Sequence, residues 1–348
     1  MRTPSTPSTL LFALSVALLL GQVAHAQTDR VRLLEGSVSG KVTAVTRLAV
    51  TIESTGKVTE APADQIRGVI YGGEPTELSQ ARVNARNGRY EEAINGLSGL
   101  RPRDIDEPLV QAEVDYYRAY SLAKRAMIGE ADTTKASKAL TDFLRGNRDS
   151  FHYFSAIETL GELFVATGDS QKASKAFGLL ANSPLESYRL KAGVLAGRAA
   201  QSLGDHADAI ESFEKVISSA GDSPAATAQS QAATLGKATS LASTGQLQAG
   251  LELAQRVIQD ADTEDSALQA RGYNTIGRCY AEAGRTTDAL LAFLHTDLLF
   301  RGEAESHAEA LARLAELWGD AGKPDQAQDA LRRLRLNYAE TEWARQAL

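Results

Sequence analysis

The sequence predicts a mainly α-helical protein, an α-solenoid of about seven helix pairs, preceded by a small all-β barrel domain. Two observations predict this fold. Glycines recur in a fixed local context at intervals of about 36 to 41 residues, at Gly168, Gly204, Gly245, Gly284 and Gly322, and such a period is typical of stacked helical repeats. Before residue 75 the pattern changes to short runs of alternating apolar and polar residues, which is typical of strands.

Residues 1–26 have the organisation of a secretory signal peptide. A positive charge near the start precedes an apolar run over residues 10–20, and Ala24 and Ala26 form a small-residue cleavage site before Gln27. The apolar run is too short to span a membrane, and no later stretch is long enough. The sequence therefore predicts a soluble, exported protein of the periplasm or the extracellular space, without a transmembrane span.

Residues 27–73 predict the small β domain. β-branched residues alternate with polar ones in runs separated by Gly and Ser-Thr-Gly turns, which favours four or five short antiparallel strands. The motif Gly36-x-x-x-Gly40-Lys41-Val42 resembles the Sm-like and SH3-like small barrels, which bind RNA in some families and peptides in others. The segment has no basic patch with interleaved aromatic residues. We therefore expect a folded cap on the first repeat or a docking module.

Residues 74–348 predict the helical array, whose copies share an ordered set of residue types. The third copy has a small residue, an aromatic, a turn glycine, an alanine and a second aromatic at Gly161, Phe164, Gly168, Ala173 and Phe177. The small residue suits the close crossing of two helices, and the large one fills the gap between neighbouring pairs. We place the second copy without a turn glycine and with a lengthened turn at residues 129–134.

This order of residue types resembles that of tetratricopeptide repeats. The resemblance implies antiparallel helix pairs whose first members line a concave groove. Helix starts are predicted independently by Ser183-Pro184 and Ser223-Pro224, where the serine is placed to be the N-cap residue and the proline the first helical residue.

Charge and motif content exclude several classes of function. The formal net charge is −7, and an acidic chain is repelled by nucleic acid. The spacings of metal sites, phosphate loops, dinucleotide-binding turns and nucleophile elbows are absent from the sequence. We therefore expect no enzyme activity, no cofactor and no metal. The single cysteine, Cys279, is expected to be a small buried apolar residue, with an intermolecular disulfide as the alternative.

The resemblance also places candidate partner-binding residues on the first helices of the pairs. The inward-facing positions include Lys191 and Arg198 in the fourth copy, and Arg271, Asn274 and Arg278 in the sixth. The seventh copy turns acidic. A groove that is basic in its middle suits an extended peptide whose carboxylates are held by arginine.

The sequence favours a non-enzymatic periplasmic adaptor that binds other envelope proteins or extended peptides along the repeats. Residues 330–344 resemble the closing repeat of bacterial envelope proteins tied to the Tol-Pal and outer-membrane assembly systems, with Ala339 where those proteins have proline. The alternative is an accessory or regulatory subunit whose small barrel binds glycan or peptide while the repeats oligomerise. Neither hypothesis specifies the partner or the oligomeric state.

Overall fold

A computed structural model describes residues 28–339 and 341–347 of the 348-residue chain. The predicted signal peptide lies outside these residues. The described part begins with the strands β1 (Asp29–Leu33), β2 (Ser37–Val45), β3 (Ala49–Ser54), β4 (Lys57–Pro62) and β5 (Ile66–Ile70).

Helices make up the rest of the described chain, and fourteen of them form seven consecutive antiparallel pairs. The pairs are α1 (Thr76–Arg86) with α2 (Tyr90–Ser98), α3 (Pro108–Met127) with α4 (Thr133–Gly146), α5 (Tyr153–Ala166) with α6 (Ser170–Ala181), α7 (Glu186–Ser202) with α8 (His206–Ser219), α9 (Pro224–Ser243) with α10 (Leu247–Asp260), α11 (Ser266–Glu282) with α12 (Thr286–Leu299), and α13 (Ala304–Asp320) with α14 (Pro324–Tyr338). A short helix, α15 (Glu342–Gln346), follows the last pair. The predicted solenoid of about seven pairs is confirmed.

The five strands form one antiparallel sheet in the order β4-β3-β2-β1-β5, which confirms the predicted small β domain. β2 is the central strand and pairs with both β1 and β3. At Gly40 the neighbouring strand comes so close that a Cβ atom would lie 2.1 Å from the carbonyl oxygen of Glu53, so only glycine fits there. The ladder of strand hydrogen bonds ends at β4 and β5, which the short 3-10 helix Ala63–Gln65 connects.

The tight turns inside the pairs depend on glycine. Gly168 follows α5 with φ of 73°, and Gly204 follows α7 with φ of 81°, a left-handed conformation that glycine adopts without steric cost. The second pair differs from its prediction. Gly129, after α3, also has positive φ, at 77°, and Asp132 then accepts a hydrogen bond from the amide of Lys135 as the N-cap of α4. This pair therefore has a turn glycine like the others.

Of the two predicted helix starts, one is confirmed and one is wrong. α9 begins at Pro224, with Ser223 as its N-cap. α7 begins at Glu186 rather than at Pro184, because the Ser183 hydroxyl accepts a hydrogen bond from the amide two residues later, at 3.2 Å. That bond keeps the intervening segment in a turn.

The second helices of the pairs insert aromatic rings between glycines of neighbouring helices. Phe213 on α8 is fully buried. A Cβ atom at Gly197 on α7 would lie 2.5 Å from its ring, and one at Gly236 on α9 would lie 2.4 Å from it. Phe177 packs against Gly161, and Phe293 against Gly277, in the same way. The small and large residues predicted for each repeat are therefore direct packing partners, within a pair and across to the next.

A buried charge network joins the β domain to the first helices. Arg82 on α1 is 2% exposed and donates to both carboxylate oxygens of Glu74, at 2.8 and 3.1 Å. It also donates to Glu113 on α3, at 3.3 Å, and Glu113 lies 2.8 Å from the His152 ring. Burial raises the pKa of Glu113, but the charges of His152 and Arg82 lower it below its usual range. Buried charges are stable when compensated in this way, so the network fixes the junction.

The β domain also contacts helices further along the array. Asp64, between β4 and β5, accepts a hydrogen bond from the Ser187 hydroxyl on α7. Leu48 packs against the apolar cluster of α5, α6 and α7, and the Arg47 guanidinium lies over the Tyr153 ring of α5 at 5.7 Å. The β domain therefore reaches from the first pair to the fourth, well beyond the first repeat that it was expected to cap.

Candidate binding surface on the repeat array

The candidate surface is formed by the first helices of the pairs, which pack side by side. α7 contacts α9, and α9 contacts α11, in addition to the contacts inside each pair. Arg198 on α7 lies within electrostatic range of Glu162 on α5, of Arg271 and Arg278 on α11, and of Glu305 on α13. We term this surface the inner face. Its charged residues are Glu158, Glu162, Lys191, Arg198, Arg271, Arg278, Glu305 and Glu309.

Arg198 lies near the middle of the inner face. Its side chain is accessible to solvent, and it has no ion pair or hydrogen bond with any residue that the structure describes. Burial by the surrounding protein, and then the positive charge of Arg278, lower the pKa of Arg198, and Arg271 acts in the same direction. Glu305 and Glu162 oppose them. Since an arginine remains protonated even so, Arg198 is a fixed positive charge that lacks a direct counter-ion.

Arg271 and Arg278 lie two turns apart on α11. Arg271 is exposed, and its Nε donates only to the backbone oxygen of Ala267 in its own helix, at 3.3 Å. Arg278 is partly buried, donates to the Thr275 hydroxyl at 2.9 Å, and lies 3.3 Å from Glu309. The structure therefore places Arg271 and Arg278 within electrostatic range of Arg198. Within the described part of the chain, only Arg278 of these three has a direct acidic contact, with Glu309.

Asn274 is not on the accessible part of the inner face. Its side chain is fully buried, and its amide donates to the backbone oxygen of Ser306 at 2.8 Å and to Glu309 at 3.0 Å. Asn274 thus joins α11 to α13 and holds the carboxylate that pairs with Arg278. In this structure it supports the surface instead of presenting a group to a ligand.

Lys191 lies on α7, toward the amino-terminal side of Arg198, and it already has a partner. Its amine is 3.1 Å from the Glu158 carboxylate of α5. Burial raises the pKa of Glu158, although Lys191 opposes the shift. Lys124 and Glu162 form a similar pair at 2.7 Å. The positive charge of Lys191 is therefore largely balanced by Glu158, which distinguishes Lys191 from the three arginines.

Sequence reasoning predicted an acidic seventh copy, which includes Glu309, but it missed the other acidic members of the inner face. Glu158 and Glu162 lie one turn apart on α5, and Glu305 lies in the first turn of α13. Glu158 and Glu162 occupy positions of the third copy that face inward in the tetratricopeptide register. Applying that register to the third copy identifies them.

The candidate chemical groups outside the inner face have structural roles. Cys279 is fully buried, and burial raises its pKa to about 12. His152 stacks on Tyr116 at 3.7 Å between ring centres, so its ring packs inside the array. His307 contacts Asp297 at 2.8 Å. Within residues 28–339 and 341–347, no group of three or more His, Cys, Asp or Glu side chains is placed to hold a metal ion.

A second cleft lies between the β domain and α3. It has a volume of about 600 Å³ and is lined by residues of β1, β2 and β3 and by the start of α3, including Lys41, Glu53 and Leu109. Asp29 also lines it, and its carboxylate accepts hydrogen bonds from the amides of Val42 and Gly72, at 2.8 and 2.7 Å.

Two segments of the array match the tetratricopeptide repeat family. Residues 193–223 match one of its models and residues 309–341 match another. The chain contains tetratricopeptide repeats. The matched segments begin within α7 and α13 and extend through α8 and α14. The tetratricopeptide fold is a scaffold for protein interaction.

Three solved structures are similar to this chain, and the first of them shares its fold. A tetratricopeptide repeat protein from Parabacteroides merdae is similar over 78% of this chain and 97% of its own, with 15% identity and a TM-score of 0.51. PilW, described as a type IV pilus biogenesis factor, is similar over 66% of this chain and 96% of its own, with 18% identity and a TM-score of 0.39. NprR, solved with its cognate peptide NprX, covers 78% and 80%, with 13% identity and a TM-score of 0.43.

No protein of curated function matches the sequence. Among the helices that the structure describes, none is both long and apolar enough to cross a membrane.

Proposed function

We propose that this protein is a non-enzymatic adaptor of the bacterial cell envelope that binds partner proteins or extended peptides along the inner face of its tetratricopeptide repeats. The observation that carries the proposal is the group formed by Arg198, Arg271 and Arg278, in which three positive charges lie close together with a single direct acidic contact, from Glu309. Arginine side chains that lack a direct acidic contact on a concave surface attract carboxylates. The partner segment is therefore acidic and extended.

Capture of partners from an envelope extract tests the proposal. The variant carries Arg198→Glu and Arg271→Glu together, because neither residue has an acidic partner within ion-pair distance whose loss would unfold the protein. Arginine contacts with carboxylates contribute about 1.5–3 kcal/mol when they are desolvated. Recovery of the principal partner, measured by quantitative mass spectrometry, is expected to fall at least tenfold while the melting temperature stays within about 2 °C.

A matched control variant is Arg256→Glu on α10. Arg256 is exposed and lies on a second helix, away from the inner face. It makes one charge reversal of the same kind as the two in the double variant, and it is expected to leave recovery unchanged. Equal losses in the control and the double variant would show that net charge, and not the inner face, governs capture. Unchanged recovery in both variants would refute binding at the inner face.

Export is part of the same proposal and rests on residues 1–26. The mature chain is expected to begin at Gln27 and to occur in the soluble envelope fraction. Amino-terminal sequencing of the protein from fractionated cells tests this. Recovery of the uncleaved chain from the cytoplasm would contradict it.

The cleft beside the β domain supports a second candidate function, that of an accessory subunit which holds a glycan or peptide between β2 and α3. Lys41 lies at this cleft, and its side chain is exposed. The substitution Lys41→Glu in the same capture experiment distinguishes the two candidates. Loss of the partner with Lys41→Glu, and its retention with the Arg198 and Arg271 double variant, would assign binding to the cleft.

A further inference from the structure

The last helix of the chain is firmly attached to the end of the repeat array. Ala344 of α15 is 3% exposed and belongs to the apolar core of the last pairs. The Arg313 guanidinium lies over the Trp343 ring at 5.5 Å. Thr341 is the N-cap of α15, and its hydroxyl accepts a hydrogen bond from the Ala344 amide at 3.3 Å. The next side chain, Arg345, therefore has a position fixed by the seventh pair.

Arg345 contacts the second pair, near the opposite end of the array. Its guanidinium lies 3.3 Å from the carboxylate of Glu130, in the turn between α3 and α4. Glu130 is also held by Arg125 at 3.5 Å, and Arg125 reaches Glu91 of the first pair at 3.6 Å. A chain of charges thus links the seventh pair to the second and first pairs. The array therefore curves enough to bring its seventh pair back to its second.

The inner face shows the same tight curvature. Arg198 on α7 interacts by charge with Glu162 on α5, with Arg271 and Arg278 on α11, and with Glu305 on α13. α5 and α13 belong to the third and seventh pairs. Side chains from pairs this far apart interact at one point only when the space that the helices enclose is narrow.

We propose that Arg345 and Glu130 form an ionic clasp that closes the superhelix into a ring, and that opening of this clasp admits a ligand to the inner face from the side. With the clasp closed, an extended chain reaches the inner face only by threading one of its ends through the ring. The part that concerns a ligand rests on the proposed function, whereas the closure itself does not. An ion pair between partly exposed groups shifts an equilibrium only by about twofold to fivefold, so the clasp opens readily.

Distances between two spin labels test the closure without any ligand. Labels attached at Lys135→Cys on α4 and Gln328→Cys on α14 report the separation across the clasp, since both positions are exposed. The native Cys279 is fully buried and stays unlabelled. The starting protein is expected to give one narrow distance distribution at low salt. The distribution should move to longer distances in 1 M salt, where charge interactions are screened within about 3 Å.

Charge reversal assigns this change to the clasp. Arg345→Glu and Glu130→Arg are each expected to lengthen and broaden the distribution at low salt. The double exchange of Glu130→Arg with Arg345→Glu is expected to restore the narrow one, which a general loss of folding would not do. Distributions that are the same in the starting protein and both single variants, or a double exchange that stays open, would overturn the proposal.

A peptide blocked at both ends extends the test to ligand access. The probe is a twelve-residue polyglutamate with a small folded protein fused to each end, and the control probe is the same peptide with free ends. Arg345→Glu is expected to raise the association rate of the blocked probe several-fold while changing that of the free probe little. Binding of neither probe to any variant would count against the proposed acidic ligand and leave the spin-label result to decide closure. Equal association rates of both probes with every variant would overturn control of access by the clasp.

Discussion

The contact between Phe213 and Gly236 allows the repeat packing to be tested. The effect of Gly236→Ala on stability should change sign when the Phe213 ring is removed. In the starting protein, Gly236→Ala introduces a methyl group where the Phe213 ring would be 2.4 Å away. In a protein that already carries Phe213→Ala, the ring is gone and the same methyl group enters empty space. One substitution is thus placed in two surroundings that differ by a single side chain.

The magnitudes follow from packing and helix propensity. Phe213 is fully buried, so Phe213→Ala is expected to cost about 3–5 kcal/mol. Gly236→Ala alone should cost about 1–3 kcal/mol through overpacking. In the Phe213→Ala background the same change should stabilise by about 0.5–1 kcal/mol, because alanine favours a helix over glycine. The two sites therefore have a coupling free energy of about 1.5–4 kcal/mol.

Urea unfolding followed by circular dichroism measures these free energies, and hydrogen exchange locates them. Since a solenoid is stabilised by contacts between neighbours, the lost protection is expected in α7, α8 and α9 before the ends of the array. Gly178→Ala is the matched control, because a Cβ at this exposed helical glycine meets nothing within 4 Å, and it should stabilise by up to about 1 kcal/mol in either background. An equal effect of Gly236→Ala with and without the Phe213 ring would refute the packing argument.

Three further outcomes are expected. Burial raises the pKa of Asp297, but its hydrogen bonds from His307 and Arg333 lower it to about 2, below the unfolded value of about 3.9. It therefore stabilises the last two pairs above about pH 4, and hydrogen exchange should show their protection falling between pH 4 and 2, less so with Asp297→Asn. Cys279 should resist alkylation at pH 8 until urea unfolds its repeat, as mass spectrometry would show. Arg82→Met should cost about 3–5 kcal/mol because it leaves buried carboxylates uncompensated, and limited proteolysis should then release the β domain; an intact, equally stable protein would contradict the importance of that network.

The repeats were predictable because each copy encodes its own fold locally. A turn glycine with positive φ, such as Gly204, and a ring opposite a glycine, such as Phe213 with Gly197, depend on contacts within about forty residues. The same residue types recur at the same spacing, so several copies support one register. The five strands were predictable for the same reason, since alternation within a strand is a local pattern.

The contacts between distant segments were not predictable from these patterns. Asn274 occupies an inward position of the sixth copy, yet it is buried because α13 covers it. The sequence of the sixth copy does not show how close α13 comes. The pairing of Arg345 with Glu130 depends on the sum of small rotations over five repeats. The reach of Asp64 to Ser187 depends on the same curvature. Local sequence patterns predict the helix pair that repeats. The angle between successive pairs depends on how the side chains of all the pairs pack.

The position of the β domain also restricts how the number of repeats in such a chain changes. A solenoid gains or loses length in whole repeats, because each repeat contacts only its neighbours. Here, removal of one pair before α7 would displace Ser187 from Asp64 by a whole repeat, and insertion of one would do the same. The first four pairs therefore have a fixed count, and length variation is confined to the pairs after α8. A homologue with one pair fewer in that region keeps its β domain in place and loses the contact between Arg345 and Glu130.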